Sequence, residues 1–269
     1  MKNPTRITRR FDQLRREGRK GFIAYVTAGD PTLRDTVRIV LELEKAGVDV
    51  VELGIPFSDP LADGRVNQEA AARALSHGAT YEGVLNTVTG IRRHSDVPLL
   101  FFSYLNPLIA RDLRITIASA AQAGVDGFLI LDLPVEESAG WLAELERRGL
   151  DHVGMVTPTS PERRIRDIVR TSSGFVYCVS REGVTGMQKR LARSATQLVR
   201  RVKRFTDLPV ALGFGISTPG HARAAAGAAD AVIVGSAIVR RFASEPATAA
   251  GRRRAGIWVR SLVRAVKEV

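Results

Sequence analysis

The run from Val51 to Gly64 reads VELGIPFSDPLADG and carries three carboxylates, Glu52, Asp59 and Asp63, where an apolar strand gives way to a turn-rich loop. Period-two alternation places Val50, Glu52 and Gly54 on one face of that strand and Val51 and Leu53 on the other. Either face of a buried strand is a costly place for an unpaired carboxylate. Glu52 is therefore a structural glutamate paired with a neighbouring donor, or an acid whose pKa burial raises into the range useful for proton transfer. Two carboxylates in unlike surroundings divide proton donation from acceptance, so Glu52 with Asp63 is the pair to consider. Asp59 reads equally as a turn former and as a functional residue.

A second group lies further along the chain. GVTG (Gly183–Gly186), GFGIS (Gly213–Ser217) and GSAIV (Gly235–Val239) are glycine-rich, and the last runs straight into a helical segment. Any one of these glycine pairs suits a tight turn. Together they favour an anion cradle, in which backbone N–H groups at loops and at a helix N-terminus hold a phosphate.

These residues need elements to position them. Eight short apolar, β-rich segments begin at Gly21, Val48, Pro98, Asp126, His152, Gly174, Pro209 and Asp230. Between them lie amphipathic segments such as LRDTVRIVLELEKAG, IASAAQAG and EESAGWLAELERRG, several ending at the glycine expected just past a helix C-terminus. Strand starts advance by about thirty residues, the length of a strand and its return helix. The spacing predicts a single (β/α)8 TIM barrel over residues 1–269, with extra helices at the N-terminus and after strand 2, around Val66. Chemistry in such a barrel sits at the C-terminal ends of the strands, where TAGDP, GIPFSDPLADG, SYLNP, DLPVEES, TPTSP, SREGVTG, GFGIST and GSAIV begin.

Composition narrows the function classes. The net charge is +12, but the basic residues fall at helical spacing among apolar ones, which fits solvated helix faces, and no zinc-finger or RNP-like motif accompanies them. Neither nucleic acid nor membrane is an expected partner. No apolar run approaches the roughly eighteen residues of a membrane span, and no hydrophobic region follows the charged N-terminus, so a cytoplasmic protein is expected. One cysteine, Cys178, allows no intrachain disulfide and reads as packing. His77, His94, His152 and His221 lie far apart, so no metal site and no cofactor is expected.

In order and spacing, YVTAGDP, ELGIPFSDPLADG, DLPVEES, TPTSP, YCVSREGVTG, GFGIS and GSAIV resemble the tryptophan synthase alpha subunit family over nearly the whole chain. The resemblance implies retro-aldol cleavage of indole-3-glycerol phosphate to indole and glyceraldehyde 3-phosphate. It makes Glu52 the general acid/base, Asp63 the acceptor of the indole N–H, and Tyr177 a residue that positions the substrate. Thr185 meets Asp63 when a loop starting near Arg181 closes, and Gly186, Gly213, Gly215, Gly235 and Ser236 hold the phosphate. Phe22, Tyr25, Phe102, Leu129 and Phe214 line the indole pocket or are plain core. Asp132 and Asn106 orient the site or merely end their strands.

The same resemblance implies a beta-subunit partner in an alpha2beta2 assembly, with Asp59 on the partner-facing loop. Where the family has proline and then an isoleucine-like indole contact, this chain has Arg65 and Asn67. Asn67 is thus a polar member of the expected indole pocket. Two alternatives stand beside the main reading: a stand-alone lyase acting on indole-3-glycerol phosphate or an indole analogue in a specialised pathway, and a non-catalytic phosphate-binding regulatory subunit.

Overall fold

The computed structural model describes residues 4–110, 112–179, 188–213 and 215–269, except the side chains of 188–194. Its strands are β1 Gly21–Thr27, β2 Val50–Gly54, β3 Leu99–Ser103, β4 Gly127–Ile130, β5 Asp151–His152, β6 Gly154–Val156, β7 Val176–Val179, β8 Val210–Gly213 and β9 Ala231–Val234. They form one sheet in the order β5-β4-β3-β2-β1-β9-β8-β7-β6, with every registered pair parallel. β5 and β6 are parts of one run interrupted only at Val153, whose N–H still donates to the Phe128 carbonyl at 2.9 Å. Since β5 pairs with β4 and β6 with β7, the two ends of the sheet meet on that run. The eight expected segments thus supply the staves of a nearly closed parallel barrel.

Local chemistry sets the helix boundaries. Thr5, Thr32, Thr80, Thr218 and Thr248 each accept a first-turn N–H at a helix start. Gly47, Gly124 and Gly149 end three helices at φ 96°, 104° and 67°, a left-handed conformation that strains any residue with a Cβ. The extra helices fall where the sequence places them: Arg6–Arg16 precedes β1, and Arg65–Ser76 and Tyr81–Arg92 lie between β2 and β3.

Register decides which residues face the lumen. Tyr25 pairs with Glu52 and Glu52 with Leu100, so these three share a face with Ile23 and Val50. Ile23, Val50, Leu100, Phe175, Ala231 and Ile233 fill the barrel interior, and Ile7, Phe11 and Leu14 of the first helix pack into it from beneath. The other face, with Phe22, Ala24, Val26, Val51, Leu53 and Phe101, packs against the helices. Here the indole-pocket expectation for Phe22 is corrected: one residue out of phase with Tyr25, it is fully buried in the outer layer.

Three aspartates, Asp49 and Asp126 buried and Asp230 half-buried, tie the feet of the strands together. Asp49 accepts Phe22 N–H at 2.6 Å, Asp126 accepts Leu99 N–H at 2.8 Å and Asp230 accepts Val210 N–H at 2.9 Å. Cations compensate each charge: Arg10 and Lys267 at Asp49, Arg6 and Arg92 at Asp126, Lys203 at Asp230. This end is committed to stability, which leaves the opposite rim for chemistry.

Candidate active site

Glu52 is the third residue of β2 and points into the lumen near its C-terminal mouth. Its side chain is 1% exposed, and Oε1 has no hydrogen-bond partner among the described residues. Burial without compensation disfavours the anion and pushes the pKa up to about 8. The structure thus offers Oε1 none of the pairing that a purely structural glutamate requires.

Asp63 reaches the same mouth from the loop after β2. Two turns shape that loop, Leu61 N–H to Asp59 O at 2.9 Å and Asp63 N–H to Pro60 O at 3.0 Å. Tyr104, just past β3, pins it: its hydroxyl accepts Ala62 N–H at 2.9 Å and donates to Asp63 Oδ2 at 3.2 Å. Asn67 Nδ2 donates to Asp63 Oδ1 at 3.4 Å. Burial raises the Asp63 pKa, while the bonds from Asn67 and Tyr104 favour the anion and oppose that rise. One carboxyl is therefore orphaned and the other held by donors, the division of environments that separates an acid from a charge stabiliser.

Two tyrosines complete the wall, and each needs a glycine. A Cβ on Gly54 would meet the Tyr25 hydroxyl at 2.3 Å, and one on Gly213 would meet the Tyr177 hydroxyl at 2.4 Å. Burial, followed by the charges of Glu52 and Asp63, raises the Tyr177 pKa well above its usual value, which puts its neutral hydroxyl in the field of both carboxylates. Tyr25 stands edge-on to Phe102 with ring centroids 5.1 Å apart. Tyr25, Ala70 and Val239, with Val66 and Phe102 packed on them, form an apolar cluster at the mouth. Leu129, in register with Phe102, is fully buried in the lumen.

The anion side is the start of helix Ser236–Ala243. Gly235 caps it without a side-chain hydrogen bond, and Ser236 is exposed. First-turn N–H groups have no intrahelical acceptor, so this end is open to an anion. Gly235 also lies close to Tyr25, since a Cβ there would fall 3.6 Å from that residue's Cβ, which puts the cradle on the rim of the same pocket. Gly215 (φ 31°) is exposed past β8, whereas Gly213 is the buried end of β8. Arg181, Thr185, Gly186 and Phe214 lie outside the described residues.

Other expectations resolve individually. Asp132 accepts Leu105 N–H at 2.6 Å and so ties the Tyr104 loop to the end of β4, while Asn106 is exposed at the start of the short helix Asn106–Ile109. Asp59 is exposed and accepts from Ser58 Oγ at 2.6 Å. Cys178 packs in the outer layer, its thiol pushed up to about 12 by burial. Among the described residues no group of three or more His, Cys, Asp or Glu could hold a metal, and no helix is long and apolar enough to cross a membrane. Sequence reasoning missed Tyr104, Val66, Ala70 and Val239. For Tyr104 the only signal was its place in SYLNP at a strand end; its partner Asp63 lies 41 positions away.

Fold and site together define a parallel (β/α) barrel with two carboxyl groups in unlike environments at the C-terminal mouth of its strands. The chain belongs to the tryptophan synthase alpha chain family, whose profile matches residues 11–264. A tryptophan synthase alpha chain from Solibacter usitatus (strain Ellin6076) is 49% identical over 246 residues, covering 91% of this chain and 92% of that one. One from Geotalea uraniireducens (strain Rf4) is 42% identical over 265 residues, covering 98% and 99%. The crystal structure of tryptophan synthase subunit alpha from Legionella pneumophila str. Paris matches with a TM-score of 0.90 at 33% identity, over 99% of this chain and 100% of that one. A Mycobacterium tuberculosis tryptophan synthase structure matches with a TM-score of 0.89 at 32% identity, over 98% and 99%.

Proposed function

We propose that this chain is a carbon–carbon lyase, one barrel domain over residues 1–269, that cleaves indole-3-glycerol phosphate to indole and glyceraldehyde 3-phosphate. It does so in the cytoplasm as the alpha subunit of a tryptophan synthase. The observation that carries the reading is Glu52, a lumenal carboxyl with an unpartnered oxygen and a pKa pushed up to about 8, at the same barrel mouth as the donor-held Asp63. At neutral pH Glu52 holds its proton and acts first as the acid.

Transfer of that proton to indole C3 interrupts the ring's conjugation and leaves positive charge on the ring nitrogen. Asp63 accepts the ring N–H and offsets the charge at the moment it develops. The Glu52 carboxylate then takes the proton of the glycerol hydroxyl beside the ring. The O–H electrons form the aldehyde C=O, and the electrons of the breaking C–C bond return to the ring. Glu52 is reprotonated in the same turnover and the cleavage is redox-neutral.

Tyr177 packs on the substrate between the two carboxylates. Tyr25, Phe102, Leu129 and Asn67 hold the ring, and Gly213, Gly215, Gly235 and Ser236 carry the phosphate through backbone N–H groups. Asp59, beside Leu61 at 91% exposure, faces the beta subunit.

The test is indole release from indole-3-glycerol phosphate by the purified chain, alone and with a tryptophan synthase beta subunit. Slow release that the partner accelerates is expected. Fast release alone removes the partner from the reading, and no indole in either arm overturns the activity.

A further inference from the structure

In the reading above Asp63 meets the ring N–H as an anion, although burial raises its pKa. What opposes that rise is a pair of neutral donors, one on each oxygen, and not a cation. Asn67 Nδ2 donates to Oδ1 at 3.4 Å and the Tyr104 hydroxyl to Oδ2 at 3.2 Å. Tyr25 from β1 and Tyr177 from β7 also feel the Asp63 charge, but burial keeps both hydroxyls neutral, and Glu52 from β2 is protonated at pH 7.

Helix Arg65–Ser76 builds the Asn67 contact. Asn67 stands in its first turn, with its own N–H on Gly64 O at 3.0 Å. Next to it Gln68 Nε2 donates to Asp63 O at 3.0 Å and to Pro60 O at 3.3 Å. The helix start thus grips both the main chain and the side chain of Asp63. Asn67 Oδ1 is buried and meets no donor among the described residues, where Asp63 is the amide's one partner. A buried amide left half unmet costs stability, so an apolar residue would serve packing better, and the bond to Asp63 is what the amide adds.

We propose that Asn67 is a positioning residue, its Nδ2 fixing the Asp63 carboxylate in the orientation that receives the substrate's ring N–H. With a donor on each oxygen the carboxylate is held against rotation, and each oxygen keeps a lone pair for the substrate. The inference rests on the cleavage reading. Loss of the Asn67 donor leaves Asp63 less oriented and easier to protonate, so its anion disappears at a higher pH than in the wild type.

Two variants test it: Asn67→Leu removes the polar atoms, and Asn67→Asp keeps the shape but offers no donor once ionised. In each, kcat/KM for indole-3-glycerol phosphate is followed against pH, and the Asp63 carboxyl is titrated by carbon-13 NMR of aspartate-labelled protein, assigned with Asp63→Asn. The acid limb and the Asp63 titration are both expected to move up by about half a pH unit or more, with the alkaline limb set by Glu52 staying in place. At pH 7 kcat is expected to fall about tenfold and KM to stay within about twofold, because the hold on Asp63 counts as charge develops on the ring. An Asp63 titration unmoved in either variant, or a loss confined to KM, overturns the proposal. No turnover by wild type or variants, with the Asp63 titration displaced as expected, overturns the cleavage reading and leaves the hold of Asn67 on Asp63 established.

Discussion

Burial of Glu52, with no donor to Oε1 among the described residues, pushes its pKa up to about 8, which favours the protonated acid at neutral pH. A group of this kind supplies acid catalysis at a pH where an ordinary glutamate is fully ionised. Glu52→Gln is expected to lower kcat by about 10²–10⁴-fold with little change in phosphate-ligand affinity, because proton transfer acts in the transition state and not in binding. In the wild type kcat/KM is expected to fall as pH rises through about 8, where the free enzyme loses the acid form.

Stability carries the same signature. The folded-state pKa lies above the unfolded one, so the folded chain binds the extra proton between about 4.5 and about 8. The stabilising contribution of neutral Glu52 is complete below that window and lost across it as pH rises. Urea titrations of wild type and Glu52→Gln should therefore converge at low pH, with the variant more stable above pH of about 8 by an amount on the order of 5 kcal/mol. Parallel pH profiles would mean that Glu52 is solvated and ionised.

Strands and helices explain why the site is at one end and the stability at the other. The first helix enters the lumen from below with Ile7, Phe11 and Leu14, and its Arg6 and Arg10 bind Asp126 and Asp49 at the feet of β4 and β2. Phe11 also packs on Phe175, with ring centroids 5.5 Å apart, and so links the helix to the residue just before β7. Phe11→Ala is expected to destabilise the fold by about 3–5 kcal/mol in urea unfolding, because the lumen cannot collapse to fill the void. Specific activity per folded molecule should be unchanged, since this plug lies beneath the barrel core and the pocket lies above it. A large activity loss without destabilisation would show that the floor and the mouth are coupled.

Over the whole molecule the net charge of +12 acts on stability more than on partner choice. Many of the acidic residues are paired locally with more than one arginine: Asp35 with Arg38 and Arg252, Glu245 with Arg241 and Arg254, while Glu162 pairs with Arg204. The excess of basic residues repels itself across the surface, over a range of about 30 Å at 0.01 M salt and about 8 Å at 0.15 M. Raising NaCl between those concentrations is expected to raise the thermal midpoint by about 2–4 °C, equivalent to roughly 1 kcal/mol for a chain near this size. The partly buried pairs at the strand feet are screened much less and should hold. A falling midpoint would mean that the surface ion pairs outweigh the repulsion.

The architecture was legible in the chain because it is written in local signals: apolar segments at a regular advance, threonine caps, and glycines such as Gly47, Gly124 and Gly149 past helix ends. Glu52 was legible as an anomaly, a carboxylate inside a strand pattern, and Asp63 as its neighbour in the motif. Alternation alone left open which face Glu52 takes; the register of Tyr25 with Glu52 and of Glu52 with Leu100 put it in the lumen and sent Phe22 to the helices. The hydroxyl of Tyr104 on Asp63, the glycines beneath Tyr25 and Tyr177, and the unmet carbonyl of Asn67 had no local signal. Each depends on contacts between segments far apart in the chain or on the absence of such a contact, and periodicity does not encode distance across a closed barrel.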